Sequence, residues 1–441
     1  KMTDENIILG SSKKSFLREK WEGILRNIII NYIPDLYLET NQVIFLNNEQ
    51  EIKNFFFNKE PDYIKTIKII VILVPFNNFT NLLKFLDQID KILDDDTKII
   101  INYFSISWKY IFKIFSFFGL IKNFNKSLFF SKKTFDTFLN CTNFESSKKL
   151  NGVSLPFNIP FLTKFLTVIV NILPFLSIFS FVNIFYLRKR VKVFKTEKLM
   201  SLIIPCKNEE NNIQKIILDA KKTLTFPYQI VFVDDLSDDK TNENINSIIS
   251  KYSDIDIKIA LGKGKGKSRA VDIGVKNSDG FYCAILDADL TVRMEDINLF
   301  YSAISIGNGD LINGTRLVYK LEENSMRLLN FIGNKFFSIL ISYITSSKVS
   351  DTLCGTKCFR RSDWKIFENF RTDTKLNDIW GDFNIIFASS FYGYKLIDLP
   401  VRYYERVSGE TKMKRRFYYF INMLSLCLLS FLRFKLNYKK N

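Results

Sequence analysis

Apolar and polar positions alternate along this chain in two blocks, and the second block is the cleaner of the two. In residues 1 to about 160, the runs Val43–Leu46, Ile67–Val74 and Lys98–Phe104 read as strands with amphipathic helical patterns between them. From Met200 the alternation restarts. Ser201–Pro205 is a short apolar strand, and Ile213, Ile216, Ile217 and Ala220 then recur at helical spacing. Gln229–Asp235 is the next strand, and Ser237 is expected as a helix N-cap with Asp238 and Asp239 in the first turn. Ile245, Ile248 and Ile249 mark the helix behind it, and strands follow at Asp256–Leu261 and Phe281–Asp287. Strand–helix alternation of this kind predicts an α/β fold with a parallel sheet covered on both faces. Such sheets bind ligands at the carboxyl ends of their strands, where Asp234, Asp235, Asp287 and Asp289 fall.

Between the blocks, Phe165 to Leu187 carries no charge and is followed by Arg188, Lys189, Arg190 and Lys192. Length and flanking charge meet the criteria for a membrane span, but Pro174 interrupts the run. The alternatives are a helix and strand of the first domain's core, or a segment lying on a membrane. The expected boundaries are a first domain over 1–195, a second over 199–416, and a basic amphipathic membrane-associating helix over 417–441. The polar, charged opening Lys1 to Lys20 is not the apolar core of a secretory signal.

Composition narrows the chemistry. Of 441 residues none is His, which removes His-based triads, His general bases and His metal sites. Any metal is then expected on oxygen ligands, which favours Mg2+ or Mn2+. The six Cys show no disulfide framework and no CxxC, and they fit a reducing compartment; Cys354 and Cys358, four apart on one face if helical, are read as structural thiols. The net charge of +17 suits phosphates or an anionic membrane, and no nucleic-acid-binding module is recognisable.

The strongest chemical feature is Asp287-Ala288-Asp289 at the end of an apolar strand. Two carboxylates separated by one residue approach a hard cation from one side and leave its other face for a diphosphate; the alternative is a solvated turn. Two earlier segments end strands in the same acidic way, Ser201-Leu-Ile-Ile-Pro-Cys-Lys-Asn-Glu-Glu210 and Val231-Phe-Val-Asp-Asp-Leu-Ser-Asp238. In this order the three resemble the family-2 glycosyltransferases, whose Rossmann-like nucleotide-binding fold is known as GT-A. The resemblance implies that Pro205, Lys207, Glu209, Val233 and Asp235 line a uridine or guanosine pocket. It further implies that Asp287, Ala288 and Asp289 bracket the diphosphate and its metal. Gly262-Lys-Gly-Lys-Gly-Lys-Ser-Arg269 is not a P-loop. It is either an exposed loop or a phosphate contact, and the resemblance points to Lys267 and Arg269 as donor contacts.

Downstream come Asn313-Gly-Thr-Arg316, Asn330 to Phe337, Ser350-Asp-Thr-Leu-Cys-Gly-Thr-Lys357, Gly381-Asp382-Phe383 and Pro400 to Arg406, then Gly409 and Thr411-Lys412. As a set, over about 199–416, these resemble the dolichyl- or polyprenyl-phosphate sugar synthases. The resemblance implies an inverting transferase that moves a sugar from a UDP- or GDP-linked donor to a polyprenyl phosphate at the cytoplasmic face of the cell membrane. A lipid phosphate needs cations rather than a base, and Arg316, Arg406 and Lys412 are the candidates to hold it. Asp382 stands where related enzymes place a base for hydroxyl acceptors. Where many such synthases have Gln after the Asp-x-Asp-Leu stretch, this chain has Thr291, a third candidate metal ligand. Amphipathic stretches at Arg327–Ile344 and Phe417–Phe434 suit a membrane surface. A second reading is transfer to a hydroxyl of a lipid-linked or cell-surface glycan, and a third is a non-catalytic membrane-bound scaffold.

The first block resembles the later part of a class I methyltransferase in Ile69 to Phe76, the helix to Leu93 and Asp94 to Tyr103. It lacks the glycine-rich turn a nucleotide-like cofactor needs, since Gly10 and Gly23 are the only glycines before Gly119. The expectation is a degenerate α/β domain without catalytic activity.

Overall fold

The computed structural model describes residues 23, 26–27, 29–30, 33, 35–46, 55, 61–73, 82–118, 129–152, 162–190, 197–318, 328–374, 378–404 and 416–436. The chain divides between Arg190 and Val191 into two compact units.

The first unit runs α1 (Asp35–Glu39), β1 (Val43–Leu46), α2 (Pro61–Thr66), β2 (Ile69–Ile72), α3 (Leu82–Asp90), β3 (Lys98–Ser105) and α4 (Ile106–Phe117). It continues through β4 (Phe129–Phe130), α5 (Lys132–Leu139), β5 (Phe144–Asn151), α6 (Leu162–Ile172), a 3-10 segment (Pro174–Phe179) and β6 (Val182–Lys189). Its sheet has the order β1-β2-β3-β6-β5, with β4 also on β3. Strands β1 to β3 are parallel, and β6 runs antiparallel between β3 and β5. Its Val, Ile, Phe and Tyr side chains are buried on both faces, as a central strand requires.

That strand settles the uncharged run. Residues 165–187 are not one helix: they are shared among α6, the 3-10 segment and β6. Pro174 opens the 3-10 turn, and Ile184 to Leu187 pair with β3 on one side and β5 on the other. The membrane-span alternative is corrected in favour of the core helix and strand. Val74, expected at the end of a strand, lies outside the described residues.

The second unit runs β7 (Met200–Cys206), α7 (Ile213–Thr223), β8 (Tyr228–Asp234), α8 (Thr241–Lys251), β9 (Asp256–Leu261), α9 (Lys267–Asn277) and β10 (Tyr282–Ile285). Then come α10 (Ile297–Ser305), β11 (Leu311–Thr315), α11 (Leu328–Thr345), β12 (Lys357–Arg360), α12 (Trp364–Thr374), α13 (Asp382–Phe391), β13 (Leu396–Pro400) and α14 (Arg416–Lys435). The sheet order is β13-β11-β12-β10-β7-β8-β9. Strands β10, β7, β8 and β9 are parallel, and β12 is reversed between β10 and β11. The chain therefore leaves β7 in one direction toward β8 and later returns on its other side at β10. The crevice at that switch point is where open α/β sheets bind ligands.

Two local expectations are corrected here. Helix α8 starts at Thr241, not after Ser237: the Ser237 Oγ accepts the Asn208 N–H at 3.0 Å rather than a helix N–H, while its own N–H and hydroxyl donate to Asp234 Oδ1 at 3.0 and 2.5 Å. Cys354 and Cys358 share no helix face: Cys358 is on β12 and Cys354 precedes it, both buried and unoxidised.

Helix α9 lies close on β7 and β8, and Gly274 permits the approach. A Cβ there would run into Ile203 Cγ2 and sit 2.9 Å from Val233 Cγ2. Ala is the better helix former by about 1 kcal/mol, so the sign of Gly274→Ala reports which effect wins. We expect a net loss of about 1–2 kcal/mol in urea unfolding, because two central strands cannot both give way. An unchanged midpoint would mean the helix is free to lift.

Candidate active site

Of the five non-glycine residues with left-handed backbone among the described residues, three each follow one of three neighbouring strands: Asn208 (φ 55°) after β7, Leu236 (φ 59°) after β8 and Leu290 (φ 53°) after β10. This conformation costs roughly 1 kcal/mol or more for a side-chain-bearing residue, and such strain gathers where chain must turn sharply around a site. The loops after β7 and β8 are knitted together. Asp238 N–H donates to Asn208 Oδ1 at 2.8 Å, Glu209 N–H to Thr241 Oγ1 at 2.8 Å, and Lys240 N–H to Glu210 Oε2 at 3.0 Å.

Of the expected pocket residues, Pro205 and Val233 sit opposite each other in the β7–β8 pairing, and Lys207 and Glu209 follow β7. Asp235 does a different job from the one expected of a bare pocket wall. Its two oxygens accept the N–H groups of Gly264 (2.7 Å) and Gly266 (2.8 Å), so it folds the Gly-Lys segment into the entrance of α9. Gly264 and Gly266 have φ of 66° and 86°, and a Cβ at Gly262 would meet Asp235 Oδ1 at 2.5 Å. These glycines are there for this turn. Arg269 lies one helical turn in and bonds Asp272 (3.2 Å).

The turn delivers Lys267, first residue of α9, to the end of β10. Its Nζ stands 2.7 Å from Asp287 Oδ1 and 3.6 Å from Asp382 Oδ2. On the other side of Asp382, the fully buried Lys357 reaches Oδ1 at 3.3 Å and donates to the Cys354 carbonyl at 2.6 Å. Two carboxylates and two ammonium groups thus alternate as Asp287–Lys267–Asp382–Lys357. Burial alone would raise the Asp287 carboxyl, but the Lys267 ammonium, with Lys357 and Arg316 behind it, holds it below its ordinary value. Burial opposes the Lys267 charge as well, and Asp287 and Asp382 together push its pKa up. Asp378, one turn before Asp382, is pushed up to about 6 by burial, and the Asp382 charge adds to the shift. Asp382 is the first residue of α13, whose entrance packs so near α9 that a Cβ at Gly381 would touch Ser268 at 3.2 Å. Two helix N-termini converge on one point, an arrangement that favours anions.

Asp289 is half-exposed beside Asp287. Its Oδ1 accepts the Thr291 N–H (3.2 Å) and hydroxyl (2.9 Å), so Thr291 orients Asp289. No group of three His, Cys, Asp or Glu able to hold a metal occurs among the described residues. The chemistry of the donors nevertheless suits a hard cation: the Asp287 and Asp289 carboxylates would offer oxygen ligands, with water or phosphate oxygens completing the shell. Ala288 between them is buried in the apolar core under the strand.

Arg316 is placed differently from the expectation of a residue open to ligand. It is buried in a two-pronged pair with Asp351, Nε to Oδ2 at 2.7 Å and Nη2 to Oδ1 at 2.9 Å. Asp351 also accepts N–H groups of Leu353 and Cys354 and the Asn334 amide. This cluster fixes the loop that brings Gly355 against Asp287. Lys357, Asp351, Asn334 and Gly355 stood inside recognised motifs with no role assigned, because their partners are distant in sequence. Arg406 and Lys412 lie outside the described residues.

Residues 201–391 match the sequence profile described as Glycosyl transferase family 2. They form a family-2 glycosyltransferase domain. The chain is similar to the dolichyl-phosphate beta-glucosyltransferase of Dictyostelium discoideum, 30% identical over 177 residues that cover 37% of this chain and 54% of that protein. It is also similar to the dolichyl-phosphate hexose transferase of Haloferax volcanii, at 27% over 217 residues, 48% of this chain and 86% of the relative. Among solved structures, a mannosyltransferase from Pyrobaculum calidifontis in complex with GDP-Man and Mn2+ shows 16% identity and a TM-score of 0.38, over 56% of this chain and 66% of its own. The chain thus spans about half the length of the Dictyostelium relative. The methyltransferase-like reading of the first unit finds no support in these similarities.

In the transferase domain a Cβ on Gly355 would collide with Asp287 Oδ2 and Lys267 Nζ. Both are side-chain ends that move more readily than backbone. Gly355→Ala is therefore expected to fold, with a melting temperature within about 4 °C of the parent. Sugar transfer should fall at least about tenfold as the ion pair is pried apart. Full activity would show that the pair tolerates displacement.

Proposed function

We propose that the protein is an inverting glycosyltransferase that moves a sugar from a nucleotide-diphosphate donor, UDP- or GDP-linked, to a polyprenyl phosphate at the cytoplasmic face of a membrane. The observation that carries this reading is the state of Asp382. Where a hydroxyl acceptor would call for a base, Asp382 is the shared counter-ion of Lys267 and Lys357. A phosphate monoester is already anionic at neutral pH and gives up no proton on attack. What it needs is positive charge and alignment. The names of the relatives, which specify dolichyl phosphate, agree with that requirement.

In the proposed reaction a phosphate oxygen of the lipid attacks the anomeric carbon from the face opposite the diphosphate. The C–O bond to the diphosphate breaks, and the nucleoside diphosphate leaves with the electron pair. Pro205, Lys207, Glu209 and Val233 are proposed to border the base and ribose, and Asp235 to act by shaping the loop that presents Lys267. Lys267 and the entrances of α9 and α13 face the diphosphate. Asp287 and Asp289, the latter steadied by Thr291, would hold Mg2+ or Mn2+, which when bound neutralises charge on the leaving group. Arg316 acts through the loop that Asp351 secures, and Arg406 and Lys412 are assigned to the acceptor phosphate.

The C-terminal helix supports a membrane location. Phe417–Lys435 is the helix among the described residues that is long and apolar enough to cross a membrane. Yet Phe420 packs on Phe336 and Phe337 of α11, and Phe434 on Phe387 and Phe391 of α13. Phe417, Tyr418, Leu424 and Leu428 remain exposed. A helix fastened along one face with its other face apolar is suited to lying at a headgroup boundary.

Membranes carrying the protein, incubated with labelled nucleotide-sugars and undecaprenyl phosphate with and without Mn2+, should yield one labelled lipid. Asp289→Ala should lower that transfer by about a hundredfold or more. Asp382→Asn should keep at least about a tenth of the parent rate, whereas loss of a true base costs about a hundredfold to ten-thousandfold. Abolition by Asp382→Asn would transfer support to a hydroxyl acceptor, and no turnover with any donor would leave the scaffold reading.

A further inference from the structure

Helix α4 of the first unit is apolar on two opposite faces, with Lys109, Lys113 and Ser116 on the stripe between them. Trp108 and Phe112 face the core, and the Trp108 indole N–H donates to the Phe179 carbonyl at 3.0 Å. The opposite face carries Tyr110, Ile114 and Phe117, which are 63%, 56% and 86% exposed. The Ser107 hydroxyl donates to the Ile178 carbonyl at 2.5 Å, so the 3-10 segment Pro174–Phe179 lies alongside. From it Phe175, Ile178 and Phe179 also stand more than half exposed. Together these side chains lay bare on the order of several hundred Å2 of contiguous apolar surface, beyond what soluble monomers usually leave to water. A helix that is apolar on both its inner and its outer face is normally covered on both.

Charge says by what. Lys109 and Lys113 are exposed on α4, flanking the aromatic face. The sequence contains no Asp or Glu from Thr97 to Phe135, nor from Ser146 to Thr196. A second copy of this surface would bring lysines against lysines with no carboxylate between them. An anionic bilayer offers the complement, hydrocarbon for the rings and phosphate for the ammonium groups. We propose that the face formed by α4 and the Pro174–Phe179 segment docks the first unit onto an anionic lipid surface. The proposal involves no residue of the transferase domain and stands or falls apart from its chemistry.

The test uses the full chain. Cys141 is the exposed cysteine among the described residues, so Phe117→Cys in a Cys141→Ser background accepts a polarity-sensitive fluorophore at one site. A control label goes on Lys91→Cys, which precedes β3 and lies at the opposite end of that strand from α4. Vesicles of phosphatidylcholine with about a quarter phosphatidylglycerol should brighten the Phe117 label at least about threefold and shift it to the blue. Phosphatidylcholine alone should do so weakly, and the Lys91 label should stay unchanged. A Phe117 label that stays dim on protein floating with the vesicles overturns the proposal, as does failure to float at all. Brightening without vesicles as protein concentration rises also overturns it, in favour of self-association.

Discussion

The ion pair between Lys267 and Asp287 is the constraint around which the transferase domain is arranged. The Lys267 side chain is 23% exposed and that of Asp287 38%, so solvent screens the pair, and the contact fixes position more than it adds stability. The 2.7 Å contact is therefore structural as well as chemical. To reach it, the Gly262–Gly266 segment must turn through left-handed conformations under the grip of Asp235. The 351–356 loop must pass so near that a side chain at 355 finds no room. Arg316 and Asp351 supply the buried clamp that keeps it there. Each neighbouring feature is a consequence of seating one lysine beside one aspartate at the end of β10.

Alternation of charge then decides what the site can do. Asp382 sits between two ammonium groups, and the two helix entrances add partial positive charge. Under the proposed function, an anionic donor arriving at this point would replace internal counter-ions with its own phosphates, and the field that stabilises departing charge would be in place beforehand. Preorganisation of this sort avoids reorientation during the reaction.

Much of this was legible from residue pattern, and the reasons for success and failure are physical. Strands β7, β8 and β10 announced themselves because each is an apolar run that ends in acidic residues where the chain leaves the sheet, and β9 by its alternation of Ile257, Ile259 and Leu261. The same signal put Asp287 and Asp289 where the chain leaves β10. The reversed strand β12 was not, since four residues, Lys357 to Arg360, with a buried lysine look nothing like a central strand. Their pairing with β10 and β11 is a long-range fact. Ser237 reads as a helix cap by local rules, yet its oxygen accepts the N–H of Asn208, 29 residues away in sequence. Arg316 looked like a ligand-facing cation because its partner lies 35 residues away. The uncharged run before Arg188 met the criteria of a span for the same reason that it makes a good central strand: both environments exclude water.

The most direct test of the central claim is Mn2+ binding followed by electron paramagnetic resonance in the parent and in Lys267→Met. The Lys267 ammonium, 2.7 Å from Asp287 Oδ1, stands where a cation would approach that carboxylate. Its removal should tighten Mn2+ binding to the nucleotide-free protein by about tenfold, through loss of like-charge repulsion. Mn2+ binding that is unchanged or weaker in a folded Lys267→Met protein would contradict the account.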